Sequence, residues 1–474
     1  MPDDLSATHR HTQTEPNARP GLSQALTLAA MSLGFVVVQL DVTIVNVALP
    51  HIGSSLGAGV AGLQWVVNAY TLVFAAVILT AGALGDRFGV KRCFIVGFVV
   101  FTLASMGCGF APNLAVLISA RAIQGLGAAI LVPCSLALLN HAFHDERERT
   151  RAIGIWAAGA SAALAAGPVV GGGLIASIGW RSIFFVNLPL GAVGIWLTGR
   201  YAEESAQTRN RSLDLAGQLI GMLALADLAA AMIEGGAVGW THPLVLIASL
   251  LFVFAAAAFV LVEIKSPSPM LPLSLFKNRT FSAATLIGLL MNAAFYGLIF
   301  MFSLYFQQVK HYTPLATGMA FLPMTVVVLL ANLSVGPITK RLGLRAPILI
   351  GQALLAIGCL TLIGIGQNTS YRALAAQLLA MGVGVGLTVP PMTSALLGTV
   401  SAKLSGVASG VLNASRQAGS VIGVALFGSF IERHHPFIPG IRMALMISVG
   451  VLLAGCLSAF LIQPEKHGTK KHSA

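Results

Sequence analysis

Charge is scarce in this sequence. Asp, Glu, Lys and Arg together make up 9% of 474 residues, against about 25% in an ordinary soluble domain. So few charges do not cover a water-facing surface, and a soluble globular enzyme is excluded. Acids are scarcer still, with none between Glu263 and Glu432. That gap argues against divalent-cation binding in the second half. No Gly-Lys dipeptide occurs anywhere, so there is no P-loop and no nucleotide is expected. H-E-x-x-H is absent, as is any paired Cys/His metal spacing, and no polar stretch is long enough for a soluble catalytic core. No metal, no cofactor and no enzymatic activity are expected. The five cysteines (Cys93, Cys108, Cys134, Cys359, Cys456) lie in or beside apolar runs without a C-x-x-C pair, and read as small core residues.

What is present is apolar: 56% hydrophobic residues and 51 glycines, a composition suited to helices packed closely in lipid. A bilayer-spanning helix needs about 20 apolar residues. Fourteen such runs follow one another, near 24–49, 63–83, 92–111, 114–140, 152–177, 182–200, 214–233, 243–263, 281–306, 316–337, 346–366, 371–397, 405–431 and 441–462. The segment "HAFHDERERTR" (141–151) is too polar to cross. The expectation is an all-α polytopic membrane protein.

The net charge of +12 is explained by position rather than by a nucleic-acid partner. With the N-terminus in the cytoplasm, 21 of the 28 Lys and Arg fall in inside loops and tails, five in outside loops, and Arg121 and Arg416 within runs. That bias places both termini inside and agrees with an even number of spans. The first twenty-odd residues are polar and read as a disordered tail before an uncleaved first helix. His434–His435 reads as part of a solvated outside loop.

An internal repeat organises the chain. "GALGDRFGVKR" (Gly82–Arg92) and "GPITKRLGLR" (Gly336–Arg345) share G-x-x-x-x-R-x-G followed two residues on by a base, 254 residues apart. Each joins the second and third runs of a six-run set. Two related halves around a midplane site is a transporter architecture. The expected division is a tail at 1–23, a six-helix bundle at 24–203, an inserted pair with linkers at 204–280, a second bundle at 281–462 and a tail at 463–474.

The ionisable residues inside the runs are the candidates for chemistry, because each is costly there: about 2.5–3.5 kcal/mol on insertion scales. Asp41 stands alone in the first run, and Asp227 and Glu234 lie in the seventh. A carboxylate that alternates between wet and dry surroundings can load and release a proton; one locked in an ion pair is purely structural. Asp41 lies nine residues before Pro50 and Arg121 eight after Asn113. Both therefore sit roughly 12–14 Å below the outer surface at about 1.5 Å per residue, so contact between them is possible. Asn46 and Gln124 join them as polar candidates.

Arg416 lies about a dozen residues into the thirteenth run. It must use carbonyls, Asn413, Gln417, water, a substrate anion or an acid from the first half. Gly82, Asp86, Arg87, Gly89 and Arg92 form a loop cluster suited to latching helix ends, or simply a turn with basic anchors; in the second copy Lys340 replaces Asp86. In the fifth run Gly159, Gly167, Pro168, Gly171 and Gly172 are expensive for a helix. There Gly167 and Gly171 form a G-x-x-x-G close-packing face, of the kind a rocking seam between bundles needs.

Taken in order, "LDVTIVNVALP", "GALGDRFGVKR", "RAIQGLGAA", "GPVVGG", "WRSIFFVNLPLG", "PLSLFKNRTF" and "ASRQAGSVIG" resemble the major facilitator superfamily, in particular its fourteen-helix drug:proton antiporter branch. The resemblance implies two six-helix bundles plus two inserted helices. It implies proton-driven export of lipophilic, often cationic compounds by alternating access in the inner membrane. It makes Asp41 the helix-1 coupling acid, Arg121 the helix-4 arginine of proton transfer, Asp86 part of a gating loop and Gly167–Pro168 part of the antiporter signature. Protons, a small lipophilic or cationic substrate and membrane lipid are the expected partners, with the chain a monomer. Alternative readings are an exporter of a metabolite, with Arg416 meeting an anionic group, and more remotely a channel or non-transporting receptor.

Overall fold

A computed structural model describes residues 21–204, 214–266, 269–401, 404–433 and 437–463. The two tails, the linker at 205–213 and His434–His435 lie outside the described residues.

The described residues form fourteen helices in the order of the apolar runs: α1 (Leu22–Leu56), α2 (Val60–Phe88), α3 (Val90–Gly109), α4 (Leu114–Ala142), α5 (Glu146–Ile178), α6 (Ser182–Tyr201), α7 (Leu215–Ala237), α8 (Pro243–Lys265), α9 (Arg279–Val309), α10 (Pro314–Leu342), α11 (Arg345–Thr361), α12 (Tyr371–Leu397), α13 (Ser405–Arg433) and α14 (Phe437–Ala459). Twelve are long and apolar enough to cross a membrane. Of the other two, α11 has 17 residues and α13 carries Ser409, Asn413, Ser415, Arg416, Gln417 and Ser420. The protein is multi-pass.

Helix ends depart from the apolar runs where local capping overrides hydropathy. The α5 helix begins six residues early, at Glu146, because the Asp145 carboxylate accepts from the N–H groups of Arg147 and Glu148 at 3.0 and 2.9 Å. This satisfies donors that a helix start leaves open, so the polar segment is helical although it does not cross. The α11 helix stops at Thr361 instead of 366, giving way to turns before Gly366.

Packing repeats between the halves. In the first, α1 lies on α5 and α6, α4 on α2 and α3, and α3 on α6; in the second, α9 lies on α13 and α14, α12 on α10 and α11, and α11 on α14. The halves meet along two seams, α5 with α10 and α2 with α13. A twofold operation that exchanges the halves also exchanges these seams. The α2–α3 and α10–α11 connections are equivalent in shape too. Each turns at a glycine of positive φ, Gly89 (99°) and Gly343 (74°), a conformation that disfavours other residues. The inserted α7 packs on α2, α13 and α8, while α8 presents Leu246, Leu250, Phe254 and Leu261 outward, as a lipid-facing helix does.

The end carrying the α2–α3, α4–α5 and α10–α11 connections is called the basic end. Toward the opposite, far end the halves are closed. A Cβ on Gly172 would stand 2.6 Å from the Pro314 carbonyl oxygen, and Gly318 lies against the Pro168 carbonyl. Gln64 donates to the carbonyls of Val424 and Ala425 at 2.8 and 2.6 Å. Ser303 donates to the Asn46 carbonyl, and Gln307 to that of Val47 at 2.9 Å. Toward the basic end the halves part around a cavity of about 320 Å³ walled by Leu79, Ala83, Pro133, Ala137, Gly406 and Asn413. A Cβ on Gly336, near the basic end of α10, would meet nothing within 4 Å.

This asymmetry is testable. Gly172→Ala forces α5 off α10 and should cost about 1–3 kcal/mol through overpacking, lowering the thermal midpoint of the detergent-purified protein by several degrees. Gly336→Ala should leave the midpoint unchanged or slightly higher. Equal midpoints for the two variants contradict a far seam that is closed.

Candidate functional site

The ionisable residues of α1 and α4 meet. Asp41 and Arg121 form an ion pair of 2.5 Å between Oδ2 and Nη1, with side chains 0% and 2% exposed. Sequence distance alone separates them by 80 positions; what joins them is the approach of α4 to α1 and α2. Gly125, one turn from Arg121, permits it, since a Cβ there would run into the Tyr70 carbonyl. With α2 that near, Arg121 Nε donates to the Val66 carbonyl at 3.2 Å, and the guanidinium lies over the Tyr70 ring, 4.3 Å from its centroid.

The pair sits in a connected polar network. Gln124 accepts from Arg121 Nη1 at 2.7 Å and donates to Asp41 Oδ1 at 2.8 Å. Asn187, on α6, donates to Asp41 Oδ1 at 3.3 Å and to Ser105 Oγ at 3.0 Å. Ser105, on α3, also accepts from Gln124 at 3.3 Å and donates to the Phe184 carbonyl at 2.9 Å. Five helices of one half thus hold a single charged pair. Removing ions from water costs several kcal/mol each, and direct contact with well-placed donors offsets that cost.

Sequence reasoning missed Asn187, Ser105 and Tyr70. Asn187 had a usable signal, a lone amide in the apolar "WRSIFFVNLPLG". Ser105 and Tyr70 had none, because a hydroxyl within an apolar run is common.

The other sequence candidates lie elsewhere. Asn46 is buried, but its amide donates to the Val42 carbonyl of its own helix at 2.8 Å. Glu234 accepts from Trp65 Nε1 at 3.4 Å, and Asp227 is partly buried on α7; neither joins the Asp41 network. Arg416 stands on α13 of the other half.

In the signature of α5, Gly167 lies against Thr43 and Leu40, Gly171 against Ile44, and Gly159 against Val36, all of α1. The G-x-x-x-G face therefore packs within one half. The seam to the other half is made instead by Pro168 and Gly172, against α10.

At the basic end, Asp86 borders the cavity, Arg87 is exposed beside Phe88, and Gly82 faces open space. The residue that ties this loop down is Glu204, after α6, which sequence reasoning did not single out. It accepts from the Lys91 N–H at 3.0 Å and pairs with Arg92 Nε at 3.8 Å. Its carboxylate also fills the space a Cβ on Gly89 would need.

Comparison with known proteins identifies the family and the fold. The Major Facilitator Superfamily sequence profile matches residues 31–424 and 325–473, and the chain belongs to that family. It is 42% identical over 412 residues to the multidrug resistance protein Stp of Mycobacterium tuberculosis, covering 86% of this chain and 76% of that one. It is 37% identical over 456 residues to the methylenomycin A resistance protein of Bacillus subtilis, covering 96% and 97%. The crystal structure of a point mutant of the nucleoside transporter NupG superposes with a TM-score of 0.66 at 12% identity, covering 92% of this chain and 99% of that one. The fold is the major facilitator fold, two six-helix bundles with two inserted helices.

Because the pair is buried, breaking it from one side strands a charge. Asp41→Leu should destabilise the protein by about 3–5 kcal/mol. Adding Arg121→Met should restore most of that loss, as measured by chemical denaturation in detergent. A double variant no more stable than the single one would mean that the two residues do not act as a unit.

Proposed function

We propose that this protein is a proton-coupled efflux transporter that exports small lipophilic compounds, cationic ones among them, by alternating access. The observation that carries the reading is the sealed Asp41–Arg121 pair, placed in one half of a fold whose halves are closed at one end and parted at the other. The resistance proteins named among its relatives support the export direction and the drug-like class of cargo.

Asp41 is the coupling acid in this reading. While ionised it holds Arg121. On protonation it loses the charge that compensates the guanidinium, and Arg121 must find other partners, so the network of α1, α3, α4 and α6 rearranges. Proton binding is thereby linked to a change in how the first half packs. Gln124, Asn187 and Ser105 position the acid. Asp86, Arg87, Gly89 and Arg92 form the gating loop of the basic end, with Glu204 holding its turn against the end of α6. Pro168 and Gly172 close the far end, with Gly159, Gly167 and Gly171 fixing α5 on α1. Asp227 and Glu234 hold the inserted pair.

The distribution of Lys and Arg supports an inner-membrane orientation with both termini and the basic end in the cytoplasm. The structure is then inward-facing. The chain works as a monomer with residues 24–203 and 281–462 as its moving units, needs no cofactor, nucleotide or nucleic acid, and draws on the proton gradient. That gradient supplies about 1.4 kcal/mol per pH unit and about 2.3 kcal/mol per charge per 100 mV. Exchange of one proton for a monovalent cation moves no net charge and uses the first term alone; export of a neutral compound uses both.

Asp41→Asn keeps the shape of the site and removes its proton. In everted membrane vesicles this variant should insert normally and lose gradient-driven dye accumulation. Accumulation at the wild-type rate would reject Asp41 as the coupling acid.

A further inference from the structure

Arg416 is the charge that the coupling network leaves over. It stands in the middle of α13, deep in the molecule, yet its side chain is only partly buried, so it borders internal space rather than packed protein. On α13 the residues lining the cavity at the basic end are Gly406, Val407, Ser409, Gly410 and Asn413. On a helix, residues three and four apart share a face, so Arg416 and Gln417 continue that face one turn toward the membrane centre. Arg416 therefore lies one turn past Asn413, the innermost α13 residue that lines the cavity. Its Cγ is 3.2 Å from where a Cβ on Gly288 of α9 would stand.

No acid answers it. Its Nε is buried without a hydrogen-bond partner among the described residues. The titratable group within electrostatic reach is Tyr296, a neutral phenol. The second half contains no acid from residue 264 to 431, and the one deep acid of the first half, Asp41, is taken by Arg121. The two acids that line the cavity, Asp86 and Asp214, belong to its mouth. The ten helical rises from Gly406 to Arg416 alone span about 15 Å. The centre of the molecule thus presents one uncompensated positive charge to a cavity open at one end. A guanidinium at this depth needs hydrogen-bond acceptors, which water or a bound anion in the cavity can supply.

We propose that Arg416 is an anion-recognition residue of the substrate cavity and that the compounds this protein binds best carry a deprotonated acid group, a carboxylate in the first instance, beside their lipophilic body. This deepens the efflux reading and rests on it for the meaning of the cavity. The planar guanidinium offers a carboxylate two parallel N–H donors in low-dielectric surroundings. Asn413 and Gln417 lie one turn before and one residue after it for further hydrogen bonds. The acid group leaves with the substrate, so Arg416 returns to its unpaired state in each cycle, whereas the Asp41–Arg121 pair stays within the protein.

The test uses a matched pair of probes, a rhodamine with a free benzoate carboxylate and the methyl ester of the same dye. Binding is measured by fluorescence polarisation on the full-length detergent-purified protein, without a gradient. The wild type should bind the acid about tenfold or more tightly than the ester, the scale of a charge-assisted hydrogen bond. Arg416→Gln should lose that preference, and Arg416→Lys should keep part of it; gel filtration reports whether each variant is folded. Equal affinity for acid and ester in the wild type overturns the proposal, as does a preference that survives in Arg416→Gln. Gradient-driven export in vesicles, read in parallel, separates the two claims. Export without acid preference removes only this inference, and acid preference without gradient dependence removes only the proton-coupled reading.

Discussion

A carboxylate and a guanidinium in contact inside hydrocarbon constrain everything around them. Each ion alone costs several kcal/mol to bury, so the fold must bring α1 and α4 together at matching depth. It must also carry α2 close enough to lend a carbonyl and a ring face, and supply amide donors for the remaining carboxylate lone pairs. The glycine at 125, the amides at 124 and 187 and the hydroxyl at 105 follow from that one requirement. The first half is built around its charges. The second half has no acid before Glu432, near the far end of α13, so it builds no such pair at mid-depth, and Arg416 is left without one.

The two seams divide the labour differently from what glycine spacing suggests. Gly167 and Gly171 look like a seam because small residues four apart make a flat face. That face serves α1, within one body, and fastens α5 to the half it belongs to. Contact across the halves falls to the neighbouring positions, Pro168 and Gly172, which sit about 100° further round the helix and meet backbone on α10. One helix thus has a fixed side and a separable side, a property of helical geometry rather than of composition.

Much of the fold was legible in the sequence because lipid imposes a simple rule: every span is a long apolar run. The repeat of "GxxxxRxG" was legible because a positive-φ glycine leaves a mark that composition does not blur. Asp41 and Arg121 were legible as rare charges at equal depth. Contact between them was not, since depth is one coordinate and the rotation of each helix about its axis is another. Rotation also hid Asn187, Ser105 and Tyr70, whose roles depend on which way α6, α3 and α2 are turned. Glu204 was hidden for another reason: acids near helix ends are ordinary, and only the tight turn at Gly89 gives this one a task.

The inserted pair changes the mechanics of the whole. The α7 helix holds α2 through Trp65 and Glu234, and lies so close to α13 that Gly236 meets the backbone of Ser429. Any movement that draws α2 from α13 must strip α7 from one of them, exposing its packed face to lipid. Among the described residues no such strap spans α5 and α10. The pseudo-symmetric scaffold is thereby given a stiff flank and a compliant one, and hinging is biased toward the side that carries Pro168.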